Sequence, residues 1–397
     1  MSPVDVMTAT KQVPQSETEV TQPAPSPAHR RWWPVVVVML VGILVGARTV
    51  IGLVWAGHPV WRPDSAFYLL FSLRLDGVDP AAAERAVGAY FASIGQPFSG
   101  PLTGEVNYPL FLGRPLYPLL SAPFVALYGY YGMFVVPLLA YLAVPVLLLR
   151  ALRKLVPTGL AVGGVALFLL TTPSEWMLGP LAEPLTIALL AGWFCTLPWN
   201  GARSHRTLAL GFGLLVAAGL SRQVVFAVLV PMVLLTLWAR RHQRDRYRDW
   251  LKALGTSTAA MVLTTVVSQL LAGVSPLYVA YKSTRVSDPV EALIHYPLQL
   301  LSQLGLELWS LLHDVSTMLL LAVAIAGAIL LRRTVVPWLL TGAVLSYLGT
   351  LVLVPYFTDM RLFLPSLLFL VAAAMVTTAE AMRRLRHSKA PPLLQDS

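Results

Sequence analysis

The stretch Pro34–Ala56, "PVVVVMLVGILVGARTVIGLVWA", decides the fold. It is apolar over nearly its whole length and reaches the roughly 20 residues that an α-helix needs to cross a hydrocarbon core. Arg30 and Arg31 precede it, it is too long for a signal-peptide core, and no small-residue cleavage site follows. It therefore reads as an uncleaved first membrane span. The same texture recurs at 132–149, 158–174, 177–198, 207–221, 224–239, 253–273, 314–331, 335–355 and 362–380, which makes about ten predicted transmembrane helices. The expected class is an all-α polytopic integral membrane protein.

Composition agrees. The chain of 397 residues is 56% hydrophobic and 12% charged, against roughly 25% charged residues in a soluble domain. In such a chain the net charge of +10 reads as topology and not as a nucleic-acid footprint. A single cysteine, Cys195, excludes an intramolecular disulfide and a cysteine-based metal cluster. Residues 1–31, rich in Pro, Ser, Thr and Gln, are expected to be a disordered cytoplasmic tail, 32–386 the transmembrane domain, and 387–397 a second tail.

Charge sets the orientation. With the N-terminus inside, the inner segments hold Arg150, Arg153 and Lys154, Arg203 and Arg206, the run "RRHQRDRYRDWLK" from Arg240 to Lys252, Arg332 and Arg333, and Arg383 to Lys389. Most of the 29 basic residues then lie inside and most of the 19 acids outside, as the positive-inside rule requires. Both termini are expected to be cytoplasmic. Two long loops then face outward, 57–131 and 274–313. In the first, "VDPAAAERAVGAYFASI" has Asp79 placed as an N-cap and Pro80 at the first helical position, and predicts a short amphipathic helix on the outer leaflet. The run 115–128, "PLYPLLSAPFVALY", reads as a juxtamembrane or re-entrant helix. The second loop carries the helix-like "LQLLSQLGLELWSLL".

On that topology polar residues gather at the outer boundary. Asp64 lies just past the first span in "VWRPDSAFYLL", and Arg48 sits in that span's outer half. Arg114 opens the juxtamembrane helix, and Glu175 and Glu183 bracket the outer start of the fourth span. Arg222 lies at the tip between two spans, and Asp359 and Arg361 open the last one in "YFTDMRLFLP". Ionisable groups at membrane depth are costly and mark function. Plainer readings stand beside this one: snorkelling for Arg222 and Arg361, helix capping for Asp64 and Glu183, and solvated surface for Glu175 and Asp359. The histidines lack ligand spacing. No phosphate-cradling GxxxxGK[ST], G-x-S-x-G or Asp-x-Asp motif is present, and no internal repeat.

Arg48 within the first span, "RPDSAFYLL", "GRPLYPLLSAPFVALYG", "LAEPLTIALLAGW", "LLVAAGLSRQVVFAVLVP" and "RLFLPSLLFL" together resemble the polytopic glycosyltransferases of the GT-C superfamily, over much of residues 34–380. The resemblance implies a polyprenyl-phosphate sugar donor and a catalytic acid in the first external loop, here Asp64. It makes Arg222 and Arg361 candidates for the donor phosphate; their place at the outer boundary adds Arg48 and Arg114 as further candidates for it, and Glu183, Tyr68 and Asp359 as candidates for substrate contact. Many members carry paired acids where Asp64 is followed by Ser65, so no cofactor is assigned and a divalent metal stays open. The chemistry agrees: transfer to a hydroxyl needs a base near it and cations for the departing phosphate, and guanidinium groups match phosphate oxygens. The expected function is sugar transfer to a glycan, lipid or protein acceptor on the outer face of a plasma membrane. A lipid-linked-sugar flippase and a non-catalytic assembly subunit are the alternatives.

Overall fold

Each of the ten apolar segments contains a helix, because their side chains offer the backbone no competing polar partner and a lipid-facing backbone must satisfy itself. The computed structural model describes residues 32–55, 60–105, 108–201, 203–273, 284, 286, 288–354 and 360–388. Among them there is no strand. The expected tail 1–31, residues 389–397, most of the 274–288 segment and Asp359 lie outside the described residues.

The helices are α1 (Trp33–Trp55), α2 (Pro63–Leu75), α3 (Pro80–Ser93), α4 (Tyr108–Leu112), α5 (Leu116–Tyr128), α6 (Val135–Leu152), α7 (Thr158–Leu169), α8 (Glu183–Thr196), α9 (His205–Ser221), α10 (Val225–His242), α11 (Tyr247–Ala272), α12 (Pro289–His313), α13 (Val315–Leu330), α14 (Val336–Leu353) and α15 (Leu364–Ser388). Six helical stretches are long and apolar enough to cross a membrane, or up to seven if the bent pair α12–α13 is one span. The protein is an all-helical, multi-pass membrane protein.

From Pro34 onward the chain is one unit. Its helices pack in the sequence α7, α6, α8, α9, α11, α10, α14, α15, and α15 returns to α7 to close the circuit. α15 is enclosed over its first half, with Leu367 to Ala374 all buried, and it also touches α8 and α13. In contrast α1 is mostly exposed along its length. It meets α6 through Gly42, whose carbonyl accepts a hydrogen bond from Tyr141 Oη at 2.9 Å.

A second cluster, built on α2, α3 and α5, joins this circuit where α5 packs on α6 and α9. Its α3 begins as expected, with the Asp79 carboxylate accepting from the N–H groups of Ala81 and Ala82 at 3.0 Å each. After α5 the chain folds back at Gly129, whose φ of +60° is open to glycine without strain. Gly132 then presses onto the Phe124 carbonyl, and Tyr117 Oη donates to the Met133 carbonyl at 2.7 Å. The 115–128 run is thus half of a tight hairpin leading into α6. The segment expected to start at 177 is helical only from Glu183, because Thr172–Met177 forms a 3-10 turn and Leu178 to Ala182 are irregular. That break carries Trp176 and Glu183 to the same end of the molecule as Asp64.

Candidate functional site

Asp64 stands in the first turn of α2. Pro63 presets the helix start, the Ser65 N–H bonds the Arg62 carbonyl at 2.8 Å, and the Arg62 N–H bonds Ser65 Oγ at 3.3 Å. This arrangement fixes the carboxylate against the positive end of the helix. Arg361 approaches from the opposite side of the chain. It opens the 3-10 turn Arg361–Phe363 before α15, directly after Met360, whose φ is +59°. A non-glycine residue in that region needs support. Here the buried Glu307 of α12 supplies it, accepting from the Met360 N–H at 2.7 Å and from Tyr347 Oη at 2.9 Å.

The result is a chain of four charged groups. Arg361 Nη1 meets Asp64 Oδ2 at 2.6 Å, Arg361 Nε meets Glu183 Oε1, and Arg222 Nη1 meets the same Glu183 oxygen. Glu183 is 2% exposed, and the two arginine side chains 11% each. Asp64, at 29% exposed, is the open end. Burial alone would raise its carboxyl; Arg361, which also hydrogen-bonds it, and then Arg114 and Arg222 outweigh burial and hold it below its usual range. Trp176 lies beside two cations at once, with the Arg62 and Arg361 guanidinium carbons 4.9 and 5.0 Å from its ring centre.

Several polar atoms of this cluster are buried with no hydrogen-bond partner among the described residues: Tyr68 Oη, Arg114 Nε, Glu183 Oε2 and Arg361 Nη2. Buried polar groups are nearly always satisfied, so such a concentration in one place points to a polar ligand. Within this cluster Arg361 and Arg222 both bear on Glu183, and Arg114 acts with them on Asp64, an arrangement that suits an anion. Arg114 and Arg222 line a cleft of about 320 Å³ that continues past Gln223, Thr264 and Ser268 to apolar walls at Phe226 and Leu353.

Of the sequence candidates, Asp64, Glu183, Arg222 and Arg361 are joined directly, and Arg114 acts on both Asp64 and Arg222. Tyr68 is fully buried and packs edge-on against Tyr117, 4.9 Å between ring centres, with its hydroxyl unpartnered. Arg48 is exposed on α1 and is not among the cations acting on Asp64. Sequence reasoning did not single out Trp176 or Glu307. Both matter only through partners far along the chain, and neither carries a local signal. The donor set does not fit a divalent metal: Asp64 and Glu183 already share Arg361, and no three His, Cys, Asp or Glu converge among the described residues.

Comparison with protein-family models, with characterised proteins and with solved structures finds no match to this chain.

Proposed function

We propose that the protein is a membrane glycosyltransferase, similar in plan to the GT-C enzymes, that moves a sugar from a polyprenyl-phosphate donor to an acceptor hydroxyl. The supporting observation is the Asp64–Arg361–Glu183–Arg222 chain with unpartnered polar atoms around it, at the head of a cleft whose far walls are apolar. A charged head and a greasy tail are what that surface matches. In the reading we favour, ten spans place both termini in the cytoplasm and the site on the outer face of the plasma membrane.

Asp64 takes the acceptor's hydroxyl proton. The acceptor oxygen bonds to the anomeric carbon as the bond from that carbon to the phosphate oxygen breaks, and the lipid phosphate leaves with the electron pair. Arg222, Arg361 and Arg114 hold its growing charge. Glu183 keeps Arg361 and Arg222 aimed at one point. In the resting pairing Arg361 makes Asp64 a weak base. A donor phosphate that draws Arg361 toward itself restores basicity at the moment it is needed.

Reconstitution in lipid vesicles with labelled polyprenyl-phosphate sugars and a membrane-extract acceptor tests this. Label is expected in the acceptor with wild type. Movement of the labelled lipid across the bilayer with no transfer would instead identify a flippase.

A further inference from the structure

A second site lies at the other end of α8. Between α5, α6, α8 and α9 runs an apolar groove of about 870 Å³, walled by Leu120, Leu139, Ala143, Leu189 and Leu210, with Arg150 and Lys154 at its mouth. The mouth is far from the Asp64 cluster: Cys195, beside Lys154, follows Glu183 along α8 by about 18 Å of helix rise. Arg203 and Arg150 both act on Lys154 there, and no aspartate or glutamate among the described residues does. Lys154 and Arg203 are partly used, donating to the Cys195 and Leu197 carbonyls at the end of α8. Those bonds satisfy a helix terminus and leave the positive charge unneutralised. Arg150 is exposed and forms no ion pair with any described residue.

We infer that this groove binds one anionic phospholipid, its phosphate held by Arg150 and Lys154 and its acyl chains lying between α6 and α9. The dimensions agree. From Leu139 to Arg150 the α6 axis rises about 16 Å, half of the ~30 Å hydrocarbon core and so the depth of one leaflet. The charges agree too: a cluster of cations without acids, at the head of an apolar trough in a membrane protein, complements a phosphodiester with two tails. The site is independent of the transferase reading, since none of its residues belongs to the Asp64 cluster.

Native mass spectrometry of the full chain in an uncharged detergent tests it, with phosphatidylglycerol, phosphatidylcholine, inorganic phosphate and a polyprenyl monophosphate as separate probes. One phosphatidylglycerol retained per chain, in clear preference to the other three, is the expected result. Arg150→Gln should weaken retention about fivefold, the effect of one cation beside an anionic lipid. Ala143→Phe, which fills the groove without touching a charge, should weaken it as well. Equal retention of phosphatidylcholine, binding of inorganic phosphate alone, preference for the polyprenyl phosphate, or retention unchanged in both variants would overturn the proposal.

Discussion

Arg361 meets two carboxylates, and each of those meets a different chemical problem. Glu183 is buried between two guanidiniums, where the attraction has to offset the cost of desolvating every partner. Removing its charge leaves two arginines facing each other. Glu183→Gln is therefore expected to cost about 3–5 kcal/mol, read as a lowered thermal midpoint in detergent. Asp64 is different, because it is partly open and tied to one arginine. Its folded pKa lies below the unfolded one, so its pairing stabilises above about pH 4 and loses that contribution as pH falls through the depressed value. If the protein is the transferase proposed, two consequences follow for the pH–rate profile of its unliganded form. In wild type any acid limb from Asp64 falls below about pH 4. In Arg361→Gln the largest lowering influence is gone, and the limb moves upward. An unmoved limb would show that Arg361 does not control this carboxyl.

At the scale of elements, the apolar period and the caps carry most of the information. A helix lies within each of the ten apolar runs, though only six or seven helical stretches are long and apolar enough to cross a membrane, and the Asp79 cap of α3 and the "LQLLSQLGLELWSLL" helix are present, because each rests on local pattern alone. The breaks were harder to read. Thr172 to Ala182 is apolar enough to extend a span, yet it turns, since the Asp314 carboxylate at the head of α13 accepts from the Thr172 N–H at 2.9 Å. Asp314 also caps α13 and stands at the 95° bend after α12. No residue near 172 announces a partner beyond 300. The α5–α6 hairpin likewise depends on a close approach that only a missing side chain permits. A Cβ on Gly132 would strike the Phe124 carbonyl and the next peptide nitrogen. Gly132→Ala should then separate α5 from α6 and lower the yield of folded protein. Gly159→Ala, where a Cβ meets nothing, should leave it unchanged.

For the molecule as a whole, charge distribution made the candidate site half legible. The expected topology grouped Asp64, Arg114, Glu183, Arg222 and Arg361 at one boundary before any contact was known. Which of them touch was not legible. Glu183 and Arg361 stand 178 positions apart, and the helix circuit alone brings them together. Arg48, equally suggestive on the sequence, is exposed on α1 and is not among the cations acting on Asp64. The orientation itself has a direct check. Single cysteines placed at Glu84 and at Asp245, with Cys195 replaced, should react with a membrane-impermeant maleimide in intact cells at Glu84 only. Labelling of Asp245 and not Glu84 would reverse the orientation and put the candidate site on the inner face.

The transferase account rests most heavily on Asp64. The measurement that reaches it most directly is sugar transfer by wild type and Asp64→Asn, reconstituted side by side at equal amounts of folded protein, with the donor that wild type consumes. The account predicts that Asp64→Asn still binds donor and loses transfer by about 10²- to 10⁴-fold, the usual weight of a general base. Transfer at the wild-type rate by a folded Asp64→Asn protein would contradict it.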